Sequence, residues 1–357
     1  MRGTPLRRPA NGRVRLVAAL AVASLSLMAC GSNDADSGTD TASESAAPSG
    51  DLKVGLAYDV GGRGDRSFND SAAAGLDKAK EELGAEGQEL SPNAQGTDRG
   101  DNLRSLAEGG FNPVIAVGFA YAEELPAIAG DFPDTTFFII DDSSVEAPNV
   151  KGLVFAEEQG SFLVGAAAAL KSTSNNVGFI GGVQTPLLEK FEAGFVAGAK
   201  AVKPDIIVDT TYLSPAGDPS GFGDPEGGKV AAQGMYQAGA DIVFHAAGGS
   251  GEGVFEAAVE AGQRAIGVDS DQYLSASPDQ QGVIMTSMLK RVDNAVETYI
   301  TDVAEGNVEG GSDVLNDLST EGVGLSESGG YIDDIQDVIA DFRQQIIDGD
   351  IELPTTP

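Results

Sequence analysis

Leu52-Lys-Val-Gly-Leu-Ala-Tyr-Asp59 leads through Val60-Gly-Gly-Arg-Gly-Asp-Arg-Ser-Phe-Asn-Asp70 into Ser71-Ala-Ala-Ala-Gly-Leu-Asp-Lys-Ala-Lys-Glu-Glu-Leu83. A short apolar run, a glycine-rich polar turn and a stretch with apolar residues at helical spacing predict strand, loop and helix. The same unit recurs down the chain. Further strands are predicted at Pro113–Gly118, Thr135–Asp141, Gly152–Phe155, Val177–Gly181, Ile206–Tyr212, Asp241–Ala246, Ala265–Asp269 and Val283–Ser287. Helices are predicted at Asp101–Glu108, Ala122–Gly130, Ser161–Lys171, Pro186–Ala201, Lys229–Ala238, Gly253–Ala261 and Arg291–Ala304. Most strands are unbroken apolar runs, as expected for strands covered on both faces. Alternation at this period means parallel βαβ units. The units fall in two series, before and after about residue 157. The expected fold is α/β, with two doubly wound parallel-sheet lobes in tandem. The helix from Arg291 and a tail helix over Ile332–Ile347 are expected to cross back between them and form a hinge.

Ligands of open parallel sheets bind at the carboxyl ends of the strands. Those ends here are polar and glycine-rich: Asp59–Asp70, Gly182–Pro186, Ala247–Gly253 and Val268–Asp271. Facing one another across two lobes, they predict a cleft. Gly248–Gly253 follows a strand and opens a helix, but its spacing is Gly-x-Gly-x-Gly rather than Gly-x-Gly-x-x-Gly. No Gly-Lys-Ser/Thr is present, so neither a dinucleotide nor a P-loop reading fits. A tight turn offering backbone N–H groups to a neutral ligand fits better. Asp269-x-Asp271 lacks the further oxygens of a calcium loop, and no metal is expected. Arg63-Gly64-Asp65 is a tripeptide that occurs by chance. The single histidine, His245, lies in an apolar strand and reads as a satisfied core residue. No Ser-His-Asp set is evident. Clustered Asp59, Asp269 and Asp271 leave a carboxylate-dependent hydrolase open as an alternative.

The only cysteine, Cys30, closes a basic-then-apolar leader. Arg2, Arg7, Arg8, Arg13 and Arg15 precede any acidic residue, and an apolar run from Val14 ends in Leu27-Met-Ala-Cys-Gly31. This is the pattern of an export signal, too short and too rich in Ala and Ser for a membrane span. The segment resembles a bacterial lipobox, which implies cleavage before Cys30 and a lipid on its sulfur. Lipidation also accounts for an unpaired thiol in an exported chain. Residues 31–50 are mostly Ser, Ala, Asp, Thr and Gly, a tether unable to bury a core. The 357-residue chain has a formal charge of −33, and loss of the leader arginines makes it more negative still. Such a field repels nucleic acid, anionic headgroups and phosphorylated ligands. The length suits two cores better than one.

Asp59-Val-Gly-Gly-Arg-Gly-Asp-Arg-Ser-Phe-Asn-Asp-Ser-Ala-Ala-Ala-Gly75 resembles the opening motif of the basic membrane protein family. These are substrate-binding lipoproteins of nucleoside ABC transporters, similar to the purine nucleoside receptor A lipoproteins. Phe132–Asp141, Phe155–Gly165, Gly181-Gly182, Phe191–Phe195, Gly198–Lys200, Gly267–Gln272, Thr286–Lys290 and Ile347–Ile351 match in order. The resemblance covers Leu52 to Pro354. It implies a type I periplasmic-binding-protein-like fold that holds a purine nucleoside between its lobes. It also implies ABC permease subunits as partners, a lipid anchor on the extracytoplasmic face of the membrane, and no cofactor. Phe68 matches the aromatic that stacks on the base, Asp59 and Asn69 the groups that read its edges, and Phe191 a second flanking aromatic. Asp269 matches a ribose hydroxyl acceptor, Lys290 a ribose contact and Gly249 a backbone contact. Ser214–Gly228, rich in Gly, Pro and Asp, departs from the pattern and is expected at a lobe surface or cleft rim.

The expected layout is a leader over 1–29, a tether over 30–50, a first lobe over 51–157 plus about 288–310, and a second over 158–287 plus about 311–357. An ionised Asp59 only accepts hydrogen bonds, which suits the N1–H of inosine or guanosine better than the N1 acceptor of adenosine. Each residue also has a plainer reading: core for Phe68 and Phe191, a turn cap for Asp59, a loop carboxylate for Asp269, a solvated lysine for Lys290. The alternative functions are a nucleoside hydrolase, the same receptor with a sugar, peptide or signalling ligand, and a sugar-repressor-like regulator. The leader and the lack of a basic head argue against the last.

Overall fold

The computed structural model describes residues 52–308 and 310–357; the expected leader, Cys30 and the tether lie outside them. The chain runs β1 (Lys53–Ala57), α1 (Phe68–Leu83), β2 (Glu86–Leu90), α2 (Arg99–Glu108), β3 (Val114–Ala116), α3 (Leu125–Asp131), β4 (Phe137–Ile140) and β5 (Val150–Phe155). It continues as α4 (Glu157–Lys171), β6 (Asn176–Val183), α5 (Pro186–Val202), β7 (Ile207–Ser214), α6 (Pro225–Gln237), β8 (Ile242–Ala246), α7 (Gly251–Ala261) and β9 (Arg264–Asp269). Two single-turn helices, α8 (Gln272–Ser275) and α9 (Pro278–Gln281), precede β10 (Ile284–Lys290), α10 (Val292–Glu305), β11 (Val314–Asn316), β12 (Val323–Leu325) and α11 (Gln336–Ile347).

Two sheets result, one per lobe. The first has the order β11-β5-β4-β3-β1-β2 and the second β12-β10-β9-β8-β6-β7. Every pairing is parallel except β10 with β12. The central strands are buried from end to end, as β4, β6 and β8 show, whereas the edges β2 and β7 are half exposed. That contrast explains why Glu86-Gly-Gln-Glu-Leu90 escapes prediction as a strand. An edge strand needs no continuous apolar run, because one side faces water.

In both sheets the strand order reverses next to the first strand of the lobe, between β1 and β3 and between β6 and β8. A crevice opens at such a switch point, at the carboxyl ends of the strands. The two crevices supply the residues of the site described below.

Helices α4 and α5 pack through glycine. A Cβ on Gly198 would collide with the Phe162 carbonyl, and one on Gly194 with the Glu158 carbonyl. Phe179, Phe195 and Phe244 stack behind them, with ring centroids 5.3–6.3 Å apart.

The chain crosses between lobes three times, near Ala156, at Arg291 and over residues 317–322. The crossings are knitted together by backbone bonds, Ala156 N–H to the Asn316 carbonyl (3.0 Å) and Arg291 N–H to the Gly322 carbonyl (2.8 Å). Helix α10 packs on α1, where Asp293 N–H donates to Ser71 Oγ (3.1 Å) and Lys78 pairs with Glu297 (2.8 Å). Helix α11 packs on α4 through Phe162 and Phe342. One expected boundary needs correction. Residues from about 311 onward are expected in the second lobe, but β11 pairs in parallel with β5 and completes the first sheet. Only from β12 does the chain join the second. Three residues carry too little pattern to announce a strand.

Candidate functional site

Helix α1 begins at Phe68, three residues before the expected start, and the cause is Asp65. Its carboxylate accepts from the backbone N–H groups of Ser67 (2.9 Å), Asn69 (2.9 Å) and Asp70 (3.1 Å), so it caps the first turn from outside the helix. This cap turns Phe68 and Asn69 to the mouth of the first crevice. Burial raises the Asp65 carboxyl, and those backbone donors pull it back.

A single cleft between the lobes is lined by Asp59, Asp65, Phe68, Asn69, Gly118 and Phe119 from the first lobe. Asp141, at the end of β4, also lines it, and the second lobe contributes Phe191, Phe222, Gly248, Asp269 and Lys290. Six of the seven expected ligand residues, Asp59, Phe68, Asn69, Phe191, Asp269 and Lys290, therefore meet in one place. Gly249 is not among the lining residues; its neighbour Gly248 is. Gly249 faces Phe222 instead, where a Cβ would come within 3.3 Å of the Phe222 carbonyl oxygen. Phe222 belongs to the divergent 214–228 stretch, which thus reaches the cleft itself.

Each polar group has defined partners. Asp59 Oδ1 accepts from Arg99 Nη2 (2.8 Å) and from Val60 N–H (2.8 Å). Asn69 Oδ1 accepts from Asp59 N–H (2.9 Å), and its Nδ2 donates to Asp65 (3.0 Å). Lys290, only 2 % exposed, sits 2.6 Å from Asp141 and 3.1 Å from Glu157, the first residue of α4. Its ammonium also lies over the rings of Phe68, Phe155 and Phe191, 5.1–5.6 Å from their centroids. Burial opposes the Lys290 charge, but Asp141, Glu157 and Asp269 outweigh it and raise the group above its ordinary value. Lys290 belongs to the second sheet and Asp141 to the first, so the pair spans the cleft.

Other contacts join the lobes on the same side. Ser67 Oγ donates to Asp269 Oδ2 (2.5 Å), and Ser270 Oγ and Gln272 Nε2 donate to the Arg66 carbonyl (2.9 and 3.0 Å). Arg66 also pairs with Glu252 (3.0 Å). Arg66, Asp141 and Asp269 all have left-handed backbone, with φ of 54°, 69° and 64°. Such conformations cost energy for residues other than glycine and gather where a fold must aim a side chain.

His245 corrects an expectation. It is buried against Phe255, yet among the described residues neither ring nitrogen has a partner at ordinary hydrogen-bond geometry, Gln272 making only a looser contact. It is therefore not satisfied. Burial lowers it to about 4, with Gln272 pulling the other way, so the ring is neutral.

Buried acids make the cleft responsive to pH. Burial is the largest influence on Asp269 and pushes it from 3.8 to about 6, against the pull of Lys290 and Ser67. Asp141 is raised for the same reason, with Lys290 opposing. The closed chain therefore holds protons that the unfolded chain releases between about pH 4 and 6, and its stability falls as pH rises through that window. The expected loss for Asp269 is on the order of 3 kcal/mol. Below pH 4 the sign reverses, because Glu89 is held down to about 2 by Lys80, Tyr58 and Arg63 against the effect of burial. Melting temperature measured from pH 4 to 8 without ligand should drop by several degrees, and Asp269→Asn should flatten the slope. A wild-type profile that rises over this range would contradict this account.

Chemically, the cleft offers two aromatic faces from opposite lobes, with carboxylates and one ammonium at its polar ends. That arrangement fits a flat neutral molecule carrying hydrogen-bond donors. Of the residues that sequence reasoning missed, Arg99, Asp141 and Glu157 act through partners distant in sequence, while Asp65 caps neighbouring backbone groups in a turn whose geometry residue types alone do not show.

A family model described as ABC transporter substrate-binding protein PnrA-like matches residues 52–356. A CD4+ T-cell-stimulating antigen of Listeria innocua is 35 % identical, over 93 % of this chain and 95 % of its own length. The ABC transporter nucleoside-binding protein BmpA of Lactococcus lactis is 34 % identical over 96 % and 99 %. Basic membrane protein A of Borreliella burgdorferi is 33 % identical over 85 % and 88 %. Among solved structures, an ABC transporter solute-binding protein from Aeropyrum pernix superposes with a TM-score of 0.74 at 30 % identity, covering 85 % of this chain and 93 % of the other. A lac repressor, at 14 % identity and a TM-score of 0.53, shares the fold alone. Fold, cleft and sequence agree: the chain belongs to the basic membrane protein family of PnrA-like ABC transporter substrate-binding proteins.

Proposed function

We propose that the protein is a lipid-anchored, non-enzymatic receptor that captures purine nucleosides outside the cell and hands them to an ABC permease. The observation that carries this reading is the meeting of Phe68 and Phe191, from opposite lobes, with Asp59, Asp269 and Lys290 in one cleft. Phe68 and Phe191 hold the base between them, Asp59 accepts from its edge, and Asp269 accepts from the ribose hydroxyls while Lys290 donates to the sugar. The name of the Lactococcus relative, a nucleoside-binding protein, supports the ligand class. The acidic field and the buried carboxylates favour an uncharged nucleoside over its phosphates. Anchoring rests on the lipobox-like segment ending at Cys30.

Titration calorimetry with inosine, guanosine, adenosine and 2′-deoxyinosine tests the reading. Inosine and guanosine are expected to bind about tenfold or more tightly than adenosine, and ribosides more tightly than the deoxyriboside, since each lost hydrogen bond to a buried carboxylate costs about 1.5–3 kcal/mol. Tighter binding of adenosine would refute the role of Asp59. Release of free base from inosine would replace the receptor with a hydrolase.

A further inference from the structure

Asp59 has two oxygens, and they are not equivalent. Oδ1 is taken by two donors, Arg99 Nη2 and Val60 N–H, both at 2.8 Å. Among the described residues no donor reaches Oδ2, which lies beside Gly118, another cleft residue. Gly118 has φ 114°, and a Cβ there would stand 2.9 Å from Oδ2. The glycine thus keeps open the space into which this oxygen points.

Arg99 is itself firmly placed. It is 9 % exposed, its Nη1 donates to the Gly96 carbonyl (3.2 Å), and its guanidinium lies 5.9 Å from the centre of the Tyr121 ring. Tyr121 is in turn anchored by its hydroxyl, which donates to the Tyr58 carbonyl (2.5 Å). A guanidinium only donates, so while Arg99 and Val60 occupy Oδ1, that oxygen serves as an acceptor and cannot carry a proton toward the ligand. Asn69, the other group expected to read the base, is tied at both ends of its amide, to Asp59 and Asp65. The remaining charged groups around this corner are Asp98 and Glu124, which act on Tyr121 together with Arg99.

We propose that Arg99 is a specificity-determining positioning residue: by occupying Asp59 Oδ1 it leaves Oδ2 as a lone acceptor in the cleft, which selects a base edge that donates over one that accepts. The proposal rests on the nucleoside reading above and gives that reading its cause. Without Arg99, the Asp59 carboxyl is free to turn. Turning takes Oδ2 away from the N1 acceptor of adenosine, whereas the wild-type arrangement holds two acceptors face to face.

The test measures inosine and adenosine affinities by calorimetry for the wild type, Arg99→Met and Arg99→Lys. In Arg99→Met the inosine-to-adenosine preference should fall by about tenfold, because a carboxyl free to turn no longer fixes an acceptor against N1. Arg99→Lys, which keeps a charged donor, should retain most of the preference. Arg99→Gln carries the same test if the Met variant does not fold, with a smaller shift. A preference in Arg99→Met equal to the wild type overturns the proposal, as does a parallel loss of both ligands that leaves their ratio unchanged. A wild-type protein that binds neither nucleoside overturns the receptor reading instead, so the two failures are distinguishable.

Discussion

Replacing Lys290 by methionine is expected to weaken nucleoside binding by two orders of magnitude or more and to lower the melting temperature of the closed form. Among the described residues the ammonium is the one cation paired with Asp141, it shares Glu157 with Lys190 (3.3 Å), and Asp269 adds its charge nearby. Breaking a buried ion pair from one side leaves a charge without compensation, at a cost of about 3–5 kcal/mol. Here the cost falls on closure, because Asp141 and Lys290 belong to different lobes and can be hydrated when the lobes part. It therefore reaches the ligand as lost affinity. Two further measurements separate this account from general damage. Adding Asp141→Leu to Lys290→Met should recover part of the stability, since replacing both partners with apolar groups is often near neutral. Lowering the pH to 5 should also narrow the deficit, because protonation removes the exposed imbalance. A single variant that binds inosine like the wild type at pH 8 would show that the ion pairs do not hold the closed state.

The second large effect concerns the aromatic pair. Phe68→Ala should reduce affinity for every purine nucleoside by a similar factor, about 1–3 kcal/mol, because stacking tolerates any base. Phe68 is only half buried and opens α1, so its removal should leave the ligand-free melting temperature almost unchanged. Phe191 differs. It is 3 % exposed and joins the core beneath α5, so Phe191→Ala should lose stability as well as affinity, on the order of 3–5 kcal/mol for the truncation. Phe68→Leu keeps the apolar contact but not the ring face, and should recover less than half of the lost affinity. Calorimetry paired with thermal melts reads both quantities. If Phe68→Ala changed the ratio of inosine to adenosine binding but not the affinities overall, its ring would be an edge-reading contact and not a stacking platform.

Much of this architecture is legible locally. Strands such as Phe137–Ile140 and Ile242–Ala246 are unbroken apolar runs because both faces are covered, and helices such as α5 carry apolar residues at the spacing of one face. Glycine-rich strand ends mark the crevices because ligands of open parallel sheets bind where the chain turns off the carboxyl ends of the strands. The failures are equally physical. Helix α1 starts early because Asp65 caps it from outside the helix, β2 hides as a polar edge, and β11 and β12 are too short to show a period. His245 reads as a satisfied core residue in a one-dimensional pattern, and no pattern could show that its nitrogens lack partners.

The sequence by itself determined the two-lobed class and the crevices at the strand ends, because each depends on periodicity and residue type within a few positions; the six residues that meet between them are what its resemblance to a known family implies. Only the tertiary structure decided how those residues are held. Lys290 reaches Asp141 across 149 positions and Asp59 meets Arg99 across 40. Such pairings depend on which strand ends the two sheets bring together, and burial then sets how strongly each charge needs its partner.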